Sequence, residues 1–356
     1  MLLTLSIVGM LGLSWVIYQL YPDRLSPNLY PLLLLLGALS GCGIATFSVG
    51  ISQVSYWHPQ ARQGSALGIY AGVGNLAPGL FSLLLPIALA SLGLGGSYLA
   101  WLFFLVIGTV LYYGLGRNSW YFQLCAQGYS PDKAKQIARE HGQELFPSAS
   151  PIVSLRISAT KWKTWVLVAL YFTTFGGFLA LTAWFPTYWV SFFAVGGITA
   201  GALTALYSLL TSAIRVSGGS LSDKIGGETT ALLALVVLLG GAGLMAWSHS
   251  VAISVAAEIL MALGMGINNA AVFKLVPQEV PQAVGGAAGW VGGLGAFGGF
   301  VIPPVLGAFV GEQGSAGYAI GFVMFVALAA VSLGLAYVLK RTHVTQTQAV
   351  VVRSTE

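Results

Sequence analysis

Three charged residues stand within or at the end of apolar stretches, and each poses a chemical problem. Arg215 lies in Thr211-Ser212-Ala213-Ile214-Arg215-Val216, eight residues before Asp223. On a helix rising 1.5 Å per residue that is about 12 Å, so the guanidinium stands near the middle of an apolar layer. A charge there is expensive and by default marks function. Its planar fork can hold a planar oxyanion through two parallel hydrogen bonds, which lysine cannot do. The alternative is an arginine that snorkels to an interface. Asp223 closes the same helix beside Lys224, where a carboxylate can cap a following helix or pair with a cation near a neighbouring helix end. Glu258, about two turns inside its own apolar stretch, is open to two readings: a proton-coupling acid, or an acid that reaches the interface. The interface is the favoured reading.

The elements that must hold these residues are membrane helices. Of 356 residues, 56% are hydrophobic and 7% charged, whereas soluble domains carry about 25% charged residues. A spanning helix needs about 20 mostly apolar residues. Ten stretches qualify: 2–20, 29–54, 64–92, 97–115, 164–190, 198–221, 229–247, 251–273, 282–311 and 318–340. The first lacks a basic leader and a small-residue cleavage site, so it is read as a retained helix. The organisation expected is a four-helix part over 1–117, a linker loop over 118–162, a six-helix part over 163–342 and a disordered polar tail over 343–356. Of the fifteen lysines and arginines, all but Arg24 and Arg215 fall on one side if residue 1 and the linker share the cytoplasm. The positive-inside rule therefore places both termini there, in a plasma (bacterial inner) membrane. This topology also accounts for the net charge of +5 without nucleic acid. Cys42 and Cys125 have no metal or redox spacing and are not expected to pair. His58, His141, His249 and His343 are scattered, with no nucleophile–base pair or metal set. An enzyme is not expected, nor a metal or a cofactor.

Two glycine-rich runs stand out, Gly64 to Asn75 with Gly68, Gly72 and Gly74, and Gly285 to Phe300 with Gly289, Gly292, Gly295, Gly298 and Gly299. Glycine at every third or fourth position makes a smooth helical face for close packing. It also suits helices that slide or rock, or backbone that lines a narrow path, and the two runs look like counterparts in two halves.

The segment Gly218-Gly219-Ser220-Leu221-Ser222-Asp223-Lys224-Ile225-Gly226-Gly227 fits the loop motif G-x-L-x-D-[RK]-x-G of the major facilitator superfamily through Gly219, Asp223, Lys224 and Gly226. Gly43-Ile44-Ala45-Thr46-Phe47, both glycine runs, Tyr171 to Phe178, Arg215, and Gly264 to Pro277 with Asn268 and Phe273 resemble the nitrate/nitrite porter (NarK-type) family of that superfamily. The resemblance implies an all-α helical bundle that carries nitrate or nitrite by alternating access, as a proton symporter or an anion exchanger. Carried over by position, it implies that Arg215 clamps the anion, Asn75 hydrogen-bonds it, and Phe47 and Phe175 sandwich it with Tyr171 nearby. Packing alone is the competing account of each aromatic. The implied partners are a small inorganic anion, protons as a candidate coupling ion, and the bilayer, with the chain a monomer. Ala77, Pro78 and Asn269 depart mildly from the family pattern. The matched helices correspond to the family's third through twelfth, so the family's second binding arginine and first-half loop motif have no counterpart here. The alternative expectation is therefore a truncated member that inserts without transporting.

Overall fold

The computed structural model describes residues 1–147 and 150–342, the side chains of Ser48 and Pro86 excepted. The tail expected to be disordered, 343–356, lies outside the described residues. Ten helices among the described residues are long and apolar enough to span a membrane: Leu2–Leu20, Pro27–Trp57, Gln60–Leu85, Ile87–Leu115, Trp162–Phe193, Gly197–Ile225, Gly227–Trp247, Val251–Glu279, Pro281–Ile320 and Val323–Thr342. They are called the first to tenth spans. The protein is an all-α, multi-pass bundle of these spans.

The third and fourth spans share a helical run, Ala77–Leu115, that folds back at Gly93, whose φ of 66° lies in the left-handed region open to glycine. Phe81 and Trp101 are twenty residues apart, about 30 Å on a straight helix, yet their ring centroids are 4.4 Å apart. The fourth span then runs antiparallel to the first, with the Ser14 hydroxyl donating to the Tyr98 carbonyl at 3.2 Å and the Met1 amine donating to the Tyr113 hydroxyl at 3.1 Å.

The linker is more structured than a loop. It carries short helices at Trp120–Ala126, Pro131–Glu140 and Pro151–Ala159. The last braces the start of the ninth span. Gly286 N–H donates to Ser154 Oγ at 2.9 Å, and Trp290 Nε1 donates to the Leu155 carbonyl at 3.0 Å.

The core sits among the last six spans. Trp189, Tyr188, Phe185, Tyr207, Phe322 and Phe325 are wholly buried and interlock through edge, stacked and tilted ring contacts. The most apolar stretch of the fifth span is 67% buried inside the protein, whereas that of the second span is 0% buried. In a bilayer such a surface meets lipid, which is as apolar as a leucine side chain, so exposure there carries no penalty of the kind it would in water.

Two seams position the site. The third span lies along the sixth: a Cβ on Gly68 would meet the Arg215 carbonyl oxygen at 2.7 Å, and one on Gly72 the Ser212 carbonyl oxygen at 2.9 Å. The ninth span lies along the fifth: a Cβ on Gly298 would meet Phe172 O at 2.8 Å and Gly176 Cα at 2.9 Å. Opposite these glycines the fifth span widens into a π-turn over Phe172–Gly176.

Candidate anion site between the two seams

Arg215 is 1% exposed. Its Nη2 donates to the Tyr171 hydroxyl at 3.3 Å, while Nε and Nη1 are buried without a hydrogen-bond partner among the described residues. No carboxylate forms an ion pair with it among the described residues. Desolvating an uncompensated guanidinium costs several kcal/mol, a cost that a negatively charged group placed beside it would offset.

The walls are aromatic. The guanidinium carbon lies 5.5 Å from the Phe175 centroid and 5.8 Å from that of Phe47, at cation–π range. Tyr171 and Phe175, one turn apart in the fifth span, stack with centroids 4.7 Å apart. The planes of Phe47 and Phe175 are parallel to within 6°, with centroids 5.7 Å apart. A flat ion held between facing rings needs two contact distances of about 3.5 Å each, so the pair stands too close for a face-to-face sandwich and must part to form one.

Four of the five residues expected to bind, Arg215, Tyr171, Phe175 and Phe47, therefore meet. Asn75 is placed differently. It is buried at the break between helices of the third span, but its amide donates to the Ala71 carbonyl of its own helix at 2.7 Å. Its carbonyl accepts the Ser212 hydroxyl at 2.5 Å, which ties the break to the sixth span one turn from Arg215.

Two wall residues had no assigned role in the sequence. Phe273 packs edge-on against Tyr171 at 4.8 Å and Phe47 at 5.9 Å. Tyr70 stacks on Phe47 at 5.7 Å and donates to its carbonyl at 3.2 Å. Phe273 lies within a quoted segment, one turn after Asn269, and that spacing is the signal that could have found it. Beyond the cage, Asn268 donates to the Thr174 hydroxyl at 3.0 Å and Thr174 donates to Asn269 Oδ1 at 2.7 Å, which leaves Asn268 Oδ1 and Asn269 Nδ2 unpaired.

The glycines divide by task. A Cβ on Gly295 would meet the Tyr171 ring at 2.6 Å and one on Gly299 would meet Leu179 at 2.9 Å, so these two, with Gly298, make room for the fifth span. Gly292 is buried in the same helix. A Cβ on Gly289 would make only ordinary contact with Leu155, and one on Gly74 would meet nothing within 4 Å. Gly219 backs onto Gly64 and Gly68, and Gly226 turns the chain with φ 87°.

At the end of the sixth span the Asp223 carboxylate accepts from Gly64 N at 3.0 Å, Ser65 N at 2.8 Å and the Ser65 hydroxyl at 2.6 Å, and pairs with Lys274 at 2.5 Å. It thus caps the third span, across the seam, and not the helix that follows it in sequence. Lys224 is exposed. Cys42 and Cys125 are free. Glu258 is 0% exposed, which overturns the reading in which it reaches the interface: from Val251 it lies about 10 Å down its helix, enclosed by neighbouring spans.

The buried guanidinium and its aromatic walls thus sit inside an all-α bundle of membrane-length spans. Residues 1–303 match the Major Facilitator Superfamily, and the chain belongs to that family. A probable nitrate/nitrite antiporter of Thermus thermophilus, NarK1, is 33% identical over 301 residues, which are 78% of this chain and 64% of the relative. The chain thus spans just under two thirds of that relative. A probable nitrate transporter of Staphylococcus haemolyticus, NarT, is 27% identical across 93% of this chain and 82% of its own length. The nitrite extrusion protein of Bacillus subtilis is 26% identical across 84% and 69%. Among solved structures the human organic anion transporter MFSD10 aligns with a TM-score of 0.63 at 16% identity, over 94% of this chain and 77% of that one. The transporter FucP, in its outward conformation, aligns with a TM-score of 0.58 at 13% identity, over 94% and 81%.

Proposed function

We propose that the protein carries nitrate or nitrite across the membrane by alternating access, with Arg215 as the anion clamp. The observation that carries this reading is the buried guanidinium with two unpaired nitrogens inside an aromatic cage. A planar monoanion satisfies both nitrogens through parallel hydrogen bonds, and the rings exclude water, so the charge attraction is not screened. The names of the relatives support the choice of anion. Phe47 stands in the second span and Phe175 in the fifth, so rocking of the first four spans against the last six opens and shuts the ring pair. The chain acts as a monomer in the plasma membrane with both termini cytoplasmic. A second reading, a member that inserts but does not transport alone, is favoured by the cage holding one arginine among the described residues. Uptake into proteoliposomes decides between the two. Wild type is expected to take up nitrate or nitrite, and Arg215→Lys to insert normally and take up neither. Wild-type rates in Arg215→Lys would refute the clamp, and an inert wild type would favour the second reading.

A further inference from the structure

Glu258 is used by nothing described so far. It is wholly buried in the eighth span, and neither carboxyl oxygen has a hydrogen-bond partner or an ion pair among the described residues. An ionised carboxylate with no partner in such a place is strongly disfavoured by desolvation. A neutral carboxylic acid is tolerated far better, so the position suits a group that holds a proton.

A chain of hydroxyls runs toward this carboxyl from one end of the molecule and stops one helical turn short of it. Ser254 precedes Glu258 by four residues and so shares its helix face. The Tyr188 hydroxyl, from the fifth span, donates to Ser254 Oγ at 3.2 Å, Ser254 donates to Ser248 Oγ at 2.9 Å, and Ser248 donates to the Ser250 carbonyl at 3.0 Å. Ser248 and Ser250 lie in the turn between the seventh and eighth spans, at the end of the molecule opposite Asp223. Each hydroxyl in this chain can both donate and accept.

The inner side leads to the cage. Tyr188 and Tyr207 are the buried titratable side chains that the fifth and sixth spans set against the eighth, the first on Ser254 Oγ at 3.2 Å and the second on Met265 Sδ at 3.0 Å. The seventh span, packed along the eighth, carries no titratable residue after Glu228. Tyr207, Thr211 and Arg215 follow at four-residue intervals on one face of the sixth span. Glu258 stands about 24 Å of helix before Lys274, and Arg215 about 12 Å before Asp223, the ion-pair partner of Lys274, so Glu258 and the guanidinium are on the order of 12 Å apart along the helix axes.

We propose that Glu258 is the proton-binding site that couples anion uptake to the pH gradient, loaded through the Ser248–Ser254–Tyr188 hydroxyl chain. The inference rests on the transport reading above. An ionised Glu258 would weaken the attraction of Arg215 for an anion; at about 12 Å and an effective dielectric of about 20 the effect is roughly tenfold in affinity. Protonation removes that competing charge, so the proton loads before the anion. One proton with one monoanion moves no net charge, and a negative-inside potential then no longer opposes entry.

The test is nitrate and nitrite accumulation in proteoliposomes holding the full chain, with the membrane potential clamped at zero and the outside made one pH unit more acid. Wild type is expected to accumulate the anion up to about tenfold per coupled proton. Glu258→Gln is expected to lose the response to the gradient, and Tyr188→Phe to reach the wild-type level more slowly. Wild-type uptake that ignores the gradient, or Glu258→Gln that accumulates like wild type, overturns the coupling alone. No flux of either anion under any gradient overturns the transport reading and the coupling with it. Should Glu258→Gln fail to insert, infrared difference spectra of the wild type decide. A protonated-carboxyl band altered by nitrate supports the assignment, and absence of that band overturns it.

Discussion

The single hydrogen bond between Arg215 and Tyr171 does two things. It fixes one arm of the guanidinium, and it leaves Nε and Nη1 without a partner among the described residues. Tyr171→Phe keeps the ring contacts with Phe175 and Phe273 but leaves the arginine without a fixed arm. A hydrogen bond to a charged group contributes about 1.5–3 kcal/mol, and part of that is recovered by the anion itself. The expected outcome is nitrate binding weakened about tenfold, read by calorimetry on purified protein, with little change in the amount inserted; unchanged affinity would show that Tyr171 does not position the clamp. Arg215 was legible in the sequence because a cation in a run such as Ser212-Ala213-Ile214-Arg215-Val216 has few physical explanations. Asn75 was not legible in the same way. An amide at a helix break can turn to its own backbone as readily as to a ligand, and here it bonds Ala71. Phe47, Phe175 and Tyr171 came from resemblance alone, because an aromatic residue in an apolar helix carries no mark of whether it lines a site or fills a core.

The fifth and ninth spans meet beside the candidate site by fitting backbone to backbone. A helix as close as this one leaves no room for side chains, which is why Gly176, Gly295 and Gly298 meet there. The π-turn at Phe172–Gly176 is the counterpart of that closeness, since such turns insert one residue without ending a helix and are frequent at functional sites. The glycine runs announced the packing, but the π-turn left no trace in the sequence: Phe172-Thr173-Thr174-Phe175-Gly176-Gly177 reads as ordinary apolar helix. A paired substitution tests the fit. Gly298→Ala places a methyl against the backbone of Phe172 and Gly176, and overpacking of this kind costs about 1–3 kcal/mol. Gly293→Ala, whose Cβ would meet nothing within 4 Å, gains helix propensity and is expected to be neutral or slightly stabilising. Thermal unfolding in detergent should therefore drop for the first and hold for the second, and uptake should fall in the same order. Equal effects would mean that the seam has slack.

At the scale of the whole molecule, the ten spans could be counted from hydropathy because length and apolar composition are properties of each segment alone. What joins the groups of spans could not, because it depends on which helix ends come together. Asp223 shows the difference. Its place at a helix end was visible, yet its main hydrogen bonds run to Gly64 and Ser65, far away in sequence, and hold the start of the third span against the end of the sixth. If the groups rock to part Phe47 from Phe175, this contact must break whenever the Asp223 end opens. Asp223→Ala would free two backbone N–H groups and leave Lys274 without its partner. Hydrogen bonds to a charged acceptor contribute about 1.5–3 kcal/mol, so a net loss of about 2 kcal/mol would raise the population open at that end roughly thirtyfold. The measurement uses Ser65→Cys, a half-buried position, with Cys42 and Cys125 changed to serine. Adding Asp223→Ala should speed labelling of Cys at position 65 by a maleimide supplied at the Asp223 face, while wild-type Asp223 keeps it slow. Equal labelling rates would mean that this end of the molecule is held shut by the glycine seam of Gly64, Gly68 and Gly219 and not by the carboxylate.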